Sequence, residues 1–364
     1  MKLSVIICTH NPRRDYLGRV LEALRAQTLP PDQWELLLID NASAEPQAAQ
    51  WDLSWHPCAR VVGEPTPGLS FARRRGVQEA AGEFIVLCDD DNCLAPDYLA
   101  VAFEFLRPHP DGAMLGGRGI PIFEGGKPAW FDTVQLAYAV GEPYPGEQEV
   151  TNEWGKLWGA GLVVRRSALQ CLYANGFENK LTDRRGNQIT SGGDHELFMA
   201  LRIQGWRMWY TPRLVFEHLM TRKRCEWGWY VSFLKGCARN SHRFDPLQRI
   251  TEQPATTLRA GLKQTAFYQI YLSLRIIWGL PDWQRKIFKP LLPDRDKTHE
   301  RVFYHKHRII GLLSCLASYR QRLLAVRNAR WAQQPVRPVG RCLNFASARK
   351  YFNLRRQILP AHLE

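Results

Sequence analysis

Three consecutive aspartates, Asp89-Asp90-Asp91, follow an apolar run and form the most conspicuous chemical group of the sequence. Adjacent carboxylates repel one another unless a cation or solvent compensates their charge. Acidic side chains one residue apart at the end of a strand project to the same side, which allows Asp89 and Asp91 to approach one Mg²⁺ or Mn²⁺ whose other ligands are waters and phosphates. The alternative is a solvated acidic turn before a helix predicted to start at Pro96.

A second group is the segment SGGDHE at residues 191–196. The spacing from Ser191 to Asp194 fits a helix capping box, and Glu196 suits a first helical turn. Capping leaves the two consecutive glycines unexplained. They allow close approach of the backbone to a ligand and place Asp194 at the lip of a cleft, where a carboxylate can act as a general base. His218, after a short strand-like segment, is either a packed residue or a ligand.

Short apolar runs alternate with helical patterns over the first 220 residues, which predicts an α/β fold with a mostly parallel sheet. Strands are predicted at 3–8, 35–39, 59–62, 83–88, 162–165, 207–210 and 214–218, and helices at 13–27, 71–81, 96–106 and 194–204. Polar clusters follow three strands directly, at 9–11, 40–41 and 89–92. Ligands of open α/β sheets bind outside the carboxyl ends of strands, so these clusters predict one site. Residues 108–160, rich in glycine, proline and aromatic residues, are predicted to be loops over the cleft.

Charge divides the chain near residue 220. Residues 221–364 contain 28 Lys+Arg and 8 Asp+Glu, whereas residues 1–220 contain 21 and 27. This asymmetry predicts a domain over 1–220 and a basic helical region over 221–364 with a separate task. A chain of 364 residues with 45% hydrophobic and 23% charged residues excludes disordered, collagen-like and multi-span membrane proteins.

The basic region shows two amphipathic helical patterns, one at 267–278 and one at 309–323. Neither contains 18 uncharged apolar residues, so neither is expected to span a bilayer. Three interpretations remain open: a solvated helical appendage, nucleic-acid binding without a recognised module, and contact with an anionic membrane surface. We favour the membrane surface and expect no nucleic-acid partner.

The nine cysteines include no CxxC pair, which predicts a reduced interior without zinc or a disulfide framework. The apolar run at 3–8 is too short for a signal peptide and has no small-residue cleavage site after it. We therefore expect a cytoplasmic protein.

Five segments in order resemble the inverting, nucleotide-sugar-dependent glycosyltransferases of the family 2 type. They are LSVIICTHNPRRDYLGRVLEAL, ELLLIDNAS, PGLSFARRRGVQEAAGEFIVLCDDDNCLAPDYL, WGAGLVVRRSAL and SGGDHELFMALRIQGWRMWYTPRLVFEH, within residues 2–220. The resemblance implies a GT-A type, Rossmann-like sheet flanked by helices, here with a C-terminal basic helical appendage. It also implies transfer of a sugar, with a UDP-sugar as the family's commonest donor, to a glycan or lipid-linked acceptor in polysaccharide or glycolipid biosynthesis.

The resemblance also assigns roles to individual residues. Nucleotide-sugar binding falls to Thr9, His10, Asn11, Asp40, Gly68, Arg73, Asp89 and Asp90. The metal, Mg²⁺ or Mn²⁺, falls to Asp89 and Asp91 of the DxD pair, and His218 matches a histidine that in some members helps to hold the metal or diphosphate. Asp194 matches the catalytic base.

Two departures from the family pattern bear on activity. Gly193-Asp194 stands where the family usually has Glu-Asp, so His195 or Glu196 would have to compensate for the missing acid. His10 stands where a tyrosine is common. The first departure leaves open an inactive, glycosyltransferase-like binding module tethered by its basic tail. A nucleotidyltransferase is a further alternative, but residues 10–13 lack the glycine of its phosphate loop.

Overall fold

The computed structural model of the protein describes residues 1–153, 157–181, 184–185, 188–189, 192–249, 265–293 and 297–333. Within these ranges the strands are β1 (Leu3–Thr9), β2 (Trp34–Asp40), β3 (Ala59–Gly63), β4 (Phe84–Asp89), β5 (Asn92–Leu94), β6 (Gly112–Phe123), β7 (Gln148–Glu149), β8 (Leu162–Arg165), β9 (Arg184–Arg185), β10 (Gln188–Ile189) and β11 (Arg207–Met220). The helices are α1 (Arg14–Arg25), α2 (Leu69–Glu79), α3 (Tyr98–Leu106), α4 (Arg166–Ala174), α5 (Gly193–Ile203), α6 (Trp227–Asn240), α7 (Asp245–Arg249), α8 (Ala266–Trp278), α9 (Trp283–Lys286), α10 (Lys297–Leu313), α11 (Tyr319–Arg327) and α12 (Arg330–Gln333).

A nine-stranded sheet forms the centre of the fold, in the order β3-β2-β1-β4-β8-β6-β11-β5, with β7 paired to β11. The strands β1 to β4 run parallel to one another, as do β6 and β11, whereas β8 runs antiparallel to both of its neighbours. The α/β prediction is therefore confirmed. Because β1, β2 and β4 are adjacent and parallel, their carboxyl ends bring the three polar clusters to the same edge of the sheet.

Helices cover both faces of this sheet. Successive side chains of a strand point to opposite faces. In β1, Val5 and Ile7 pack into the cluster that contains α1 and α3, while Ile6 packs into the cluster that contains α2, α4 and α5. Because both faces of the sheet are buried, the sequences of the central strands are continuous apolar runs without alternating polar residues.

The prediction of loops over residues 108–160 was wrong in part, because β6 occupies Gly112–Phe123. A Cβ atom at Gly117 would lie 2.1 Å from the carbonyl oxygen of Leu214 in β11. Glycine is therefore needed for the close approach of the two strands, although it lowers the strand propensity of the sequence. Propensity alone could not reveal this strand.

Three other elements differ from the sequence predictions. The segments 207–210 and 214–218 belong to the single strand β11, whose register with β6 shifts between Tyr210 and Val215. The helix predicted from Pro96 begins at Tyr98. The pattern at 309–323 is divided, because α10 ends at Leu313 and α11 begins at Tyr319.

The helices after Met220 pack against the sheet domain. Trp331 of α12 lies in the same buried cluster as α2, α4 and α5, and its ring meets that of Phe177 edge to face. A buried Asp245 joins three of these helices, because it pairs with Arg308 at 3.0 Å and accepts a hydrogen bond from the Tyr319 hydroxyl at 3.1 Å. Of the helices in the described ranges, none is long and apolar enough to cross a bilayer.

Candidate active site

A cavity of about 430 Å³ opens at the carboxyl ends of β1 and β4. It is lined by most of the predicted site residues: Thr9, His10, Gly68, Arg73, Asp89, Asp90, Asp91, Asp194 and His218. As far as the described residues define its wall, the wall includes neither Asn11 nor Asp40. The fold thus brings the aspartate cluster and Asp194, which are about 100 residues apart in the chain, to one space.

Asn11 and Asp40 instead fix the loop after β2. The backbone N–H of Asn11 donates to Ser43 Oγ at 3.0 Å. The side-chain oxygen of Asn11 accepts from the backbone N–H of Ala44 at 2.9 Å. Asp40 accepts from the amides of Ser43 at 3.1 Å and Gln47 at 3.0 Å. The two side chains therefore shape the rim beside the cavity, and their contact with a nucleotide stays a prediction.

Asn41, a member of the polar cluster at 40–41 that was predicted to face the site, lines the cavity, although the sequence assigned it no individual role. Its buried amide group donates to the Thr66 carbonyl and accepts from the Gly68 amide, both at 2.7 Å. This pairing fixes the turn that leads into α2. The available signal was its position directly after β2, beside Asp40.

The first loop is tied to the aspartate cluster and to the second loop. Thr9 is buried and its hydroxyl donates to Asp90 Oδ2 at 2.7 Å. His10 Nδ1 lies 2.8 Å from the Asn41 carbonyl oxygen. Cys8 also lines the cavity, where desolvation raises the pKa of its thiol to about 12. Burial therefore favours the protonated thiol at neutral pH, which makes Cys8 a weak nucleophile.

The carboxylates of Asp89 and Asp91 pair with different cations. Asp89 Oδ1 lies 3.2 Å from Arg73 Nη2, and Asp91 Oδ2 lies 2.7 Å from Arg224 Nη1. Both guanidinium groups line the cavity. Arginine side chains thus supply the charge compensation that was expected from a metal ion, and no pattern in the sequence pointed to Arg224.

His218 and Asp91 form a donor set that suits a divalent cation. His218 is buried, and its Nδ1 lies 2.8 Å from the carbonyl oxygen of Tyr138, which can only accept. Nδ1 therefore donates, and Nε2, which lies 2.9 Å from the donor Arg224 Nη1, accepts at a distance of 3.4 Å from Asp91 Oδ2. Carboxylate oxygen and imidazole nitrogen are ligands of Mn²⁺ and similar ions. Within the described ranges no group of three His, Cys, Asp or Glu side chains is arranged to hold a metal.

Asp194 lies in the first turn of α5 and is held in a fixed orientation. Its Oδ2 accepts from the Gly159 amide at 2.9 Å and its Oδ1 accepts from the His195 amide at 2.8 Å. Each oxygen keeps a further lone pair, so the carboxylate can still accept a proton from a ligand in the cavity.

The glycine before α5 is required by the fold of this corner. Gly192 has a φ of +134°, and a Cβ atom there would lie 2.3 Å from the Phe244 ring. Gly192 is the N-cap of α5 and lines the cavity. Ser191, considered above as a capping residue, lies outside the described residues.

His195 and Glu196 do not face the cavity as its described wall defines it. The His195 ring packs edge to face against Phe244. Glu196 is buried, and Oε2 accepts from the amides of Lys180 and Leu181, both at 3.0 Å. Glu196 thus anchors the segment before α5, and the carboxylate that faces the cavity from this helix is Asp194.

We expect Glu196→Gln to lower the free energy of unfolding by about 1–3 kcal/mol. The amide is isosteric, but it replaces a charged acceptor of two backbone hydrogen bonds, of which the one from Leu181 is buried. Denaturant unfolding monitored by tryptophan fluorescence measures the change. Glu178→Gln is the matched control, because Glu178 is 67% exposed in its pair with Lys180 and should change stability by less than about 1 kcal/mol. Equal stability of the two variants would contradict the anchoring role.

Comparisons with known proteins place these observations in a family. Residues 4–173 match the family model described as Glycosyl transferase family 2. A glucosyl-dolichyl phosphate glucuronosyltransferase of Haloferax volcanii is 25% identical over 243 residues, which cover 65% of this chain and 75% of that protein. The poly(ribitol-phosphate) beta-N-acetylglucosaminyltransferase TarS of Staphylococcus aureus is 25% identical over 130 residues, 33% of this chain and 22% of TarS. The solved structure of S. aureus TarS 1-349 in complex with UDP-GlcNAc covers 88% of this chain and 92% of its own, with a TM-score of 0.46 and 17% identity.

The matched region runs from β1 into α4 and includes the aspartate cluster with its partner Arg73. Asp194, His218 and Arg224 lie beyond it in the chain but line the same cavity. The family model, the curated relatives and the α/β sheet agree. The chain thus contains a glycosyltransferase domain of family 2, which the family model matches over residues 4–173.

Proposed function

We propose that the protein transfers a sugar from a nucleotide-sugar donor, with a UDP-sugar as first candidate, to a hydroxyl of a glycan or lipid-linked acceptor with inversion at the anomeric carbon. The observation that carries the proposal is the composition of one cavity wall. A cluster of three aspartates, two arginines and a separately oriented carboxylate, Asp194, all face the same space. We assign the reaction to polysaccharide or glycolipid biosynthesis.

The donor diphosphate would lie near Arg73 and Arg224. Guanidinium groups bind phosphate oxygens through paired hydrogen bonds and bring positive charge to a group that carries two or more negative charges. Thr9, His10 and Gly68 occupy the part of the wall formed by the loops after β1 and before α2. This part suits the nucleoside.

A divalent ion, Mg²⁺ or Mn²⁺, is the proposed cofactor. Asp91 and His218 would hold it, with Asp89 as the second carboxylate of the predicted pair, and phosphate oxygens and waters would complete the coordination. When bound, the ion supplies electrostatic stabilisation of the departing diphosphate.

Asp194 is the proposed general base. Its carboxylate accepts the proton of the acceptor hydroxyl while the acceptor oxygen attacks the anomeric carbon and the bond from that carbon to the diphosphate oxygen breaks. Attack opposite to the leaving group inverts the configuration. The hydrogen bonds from the amides of Gly159 and His195 keep the carboxylate in one orientation during this step.

An anionic membrane surface is the proposed partner of α8, which would place the enzyme at the cytoplasmic face where a lipid-linked acceptor is accessible. The side of α8 that packs inward includes the polar residues Gln269 and Ser273, both buried. The outward side carries Phe267, Tyr271 and Trp278, whose exposed fractions are 68%, 48% and 55%. Exposed aromatic side chains on a basic helical region are typical of helices that lie in a membrane interface.

The proposal is tested by ligand binding to the purified protein. We expect UDP-sugars with Mn²⁺ or Mg²⁺ to stabilise the protein in a thermal-shift assay, by about 2.7 kcal/mol at a hundredfold excess over Kd, and GDP-, dTDP- and CMP-sugars to stabilise it less. Asp91→Ala should abolish the shift. Asp132→Ala, at an exposed carboxylate paired with Lys127, is the control and should retain it. No shift with any nucleotide sugar, with or without metal, would contradict the proposal.

A further inference from the structure

Arg224 occupies the position between the two proposed metal ligands. Its Nη1 lies 2.7 Å from Asp91 Oδ2 and 2.9 Å from His218 Nε2, and these two atoms are 3.4 Å apart. All three side chains are largely buried, with exposed fractions of 13%, 14% and 4% for Arg224, Asp91 and His218. The guanidinium nitrogen therefore bridges a carboxylate oxygen and an imidazole nitrogen inside the cavity wall.

The two acceptors require a cation between them. His218 Nδ1 donates to the Tyr138 carbonyl and its Nε2 accepts from Arg224 Nη1, which can only donate, so an acceptor nitrogen lies 3.4 Å from a carboxylate oxygen. Two electron-rich atoms at that separation repel one another in a poorly solvated site unless positive charge lies between them. Arg224 Nη1 supplies that charge.

A divalent ion and the Arg224 guanidinium cannot occupy this position together. Both use the lone pairs of Asp91 and His218, and their positive charges repel. Arg224 belongs to the short 3₁₀ helix Arg222–Cys225, and its guanidinium lies over the Trp229 ring, 5.4 Å from the centroid. Trp229 also lines the cavity, so the side chain can leave the two ligands while it remains beside the proposed diphosphate site.

We propose that Arg224 is a built-in cation that competes with the divalent metal for Asp91 and His218, so that metal binds only when the guanidinium is released. The competition keeps the metal affinity of the protein low until a ligand offers Arg224 another anionic partner, for which the diphosphate of the donor is suited. This coupling between metal and donor is reciprocal, because each ligand favours the state with Arg224 released. The inference rests on the proposed function only for the identity of the metal and the donor.

The test is Mn²⁺ binding to the full chain without nucleotide, measured from the electron paramagnetic resonance signal of free Mn²⁺. Arg224→Met removes the competing charge and should bind Mn²⁺ about tenfold tighter than wild type or more. Arg224→Gln, which is neutral but can still donate to Asp91, should show the same direction of change. Arg224→Lys keeps the charge and should stay within about threefold of wild type, as should Lys223→Met on the same 3₁₀ helix.

The double variant Arg224→Met/Asp91→Asn should lose the gain in affinity, which assigns the bound ion to this site. Near-ultraviolet circular dichroism checks that each variant is folded. Neutral variants that bind Mn²⁺ no tighter than wild type would overturn the inference, and so would a gain that persists without Asp91. The assay involves no sugar and no transfer, so its outcome is independent of the nucleotide-sugar screen.

Discussion

Asp194→Asn should lower the rate of sugar transfer by about 10²- to 10⁴-fold and leave donor affinity within about threefold of wild type. The substitution keeps the size and the planar shape of the side chain, but an amide does not accept a proton from the acceptor hydroxyl at neutral pH. Asp194 is separate from the carboxylates that pair with Arg73 and Arg224. The loss should therefore appear in kcat, with the binding of the donor retained.

The measurement combines UDP release, with the acceptor that gives the highest turnover, and calorimetric titration of the donor. Asn can accept only one of the two backbone hydrogen bonds made by Asp194, so part of the loss could come from a less stable α5. Glu196→Gln is the matched control, because it weakens the same region of the fold without changing the cavity wall. Its turnover, compared at a temperature where both variants are folded, should stay within about threefold of wild type.

Two outcomes would contradict the assignment. Turnover of Asp194→Asn near that of wild type would remove Asp194 from the role of general base. Donor binding by the wild-type protein without transfer to any acceptor would favour the inactive binding module. That alternative arose because Gly193 stands where the family usually has a glutamate. The second outcome would leave the assignment of the donor site intact and would contradict only the proposal that the protein transfers the sugar.

The sheet was predictable where strands are buried on both faces and punctuated by polar residues. β1, β2 and β4 are continuous apolar runs that end at Thr9, Asp40 and Asp89, so both their existence and their shared edge followed from the pattern. β6 was missed because Gly117, which lowers its strand propensity, serves the close contact with Leu214 of β11, almost a hundred residues away in the chain. Local sequence does not contain that information.

The acidic residues of the site could be predicted from the sequence, but the arginines with which they form ion pairs could not. The positions of Asp89, Asp91 and Asp194 followed from local context and from the family resemblance. Their partners did not, because Arg73 and Arg224 are two of 49 basic residues and only the fold shows which of them reach the aspartates. Arg224 also lies in the segment after Met220, where the charge pattern indicated a separate region, so its place in the cavity wall could not be inferred.

The second large effect concerns α8. We expect the triple variant Phe267→Ser/Tyr271→Ser/Trp278→Ser to bind anionic vesicles about a hundredfold more weakly than wild type. Transfer of about half of an aromatic side chain out of water contributes about 1 kcal/mol, and three such contributions correspond to roughly two orders of magnitude. The substituted side chains point away from the core, so the fold should be unaffected.

The assay is sedimentation with vesicles of phosphatidylcholine alone and of phosphatidylcholine with phosphatidylglycerol, at low and moderate salt. Wild-type protein should prefer the anionic vesicles, and the preference should weaken as salt screens the basic residues. The control variant Phe71→Ser/Ile120→Ser removes apolar side chains that are 41% and 40% exposed outside the basic region, and it should bind as wild type does.

The two contributions can be separated because they respond to different changes. Exposed Arg275 lies one helical turn beyond Tyr271, so charge and aromatic surface occur on the same side of α8. If the helix lies in the interface, the triple variant should lose binding even at low salt, where attraction between charges is strongest. Binding that survives the aromatic substitutions and disappears only at moderate salt would show that basic charge alone attracts the protein, which would contradict an inserted α8. Failure of the wild-type protein to bind anionic vesicles at either salt concentration would contradict the membrane partner itself and leave α8 as the solvated appendage that its charge pattern also permits.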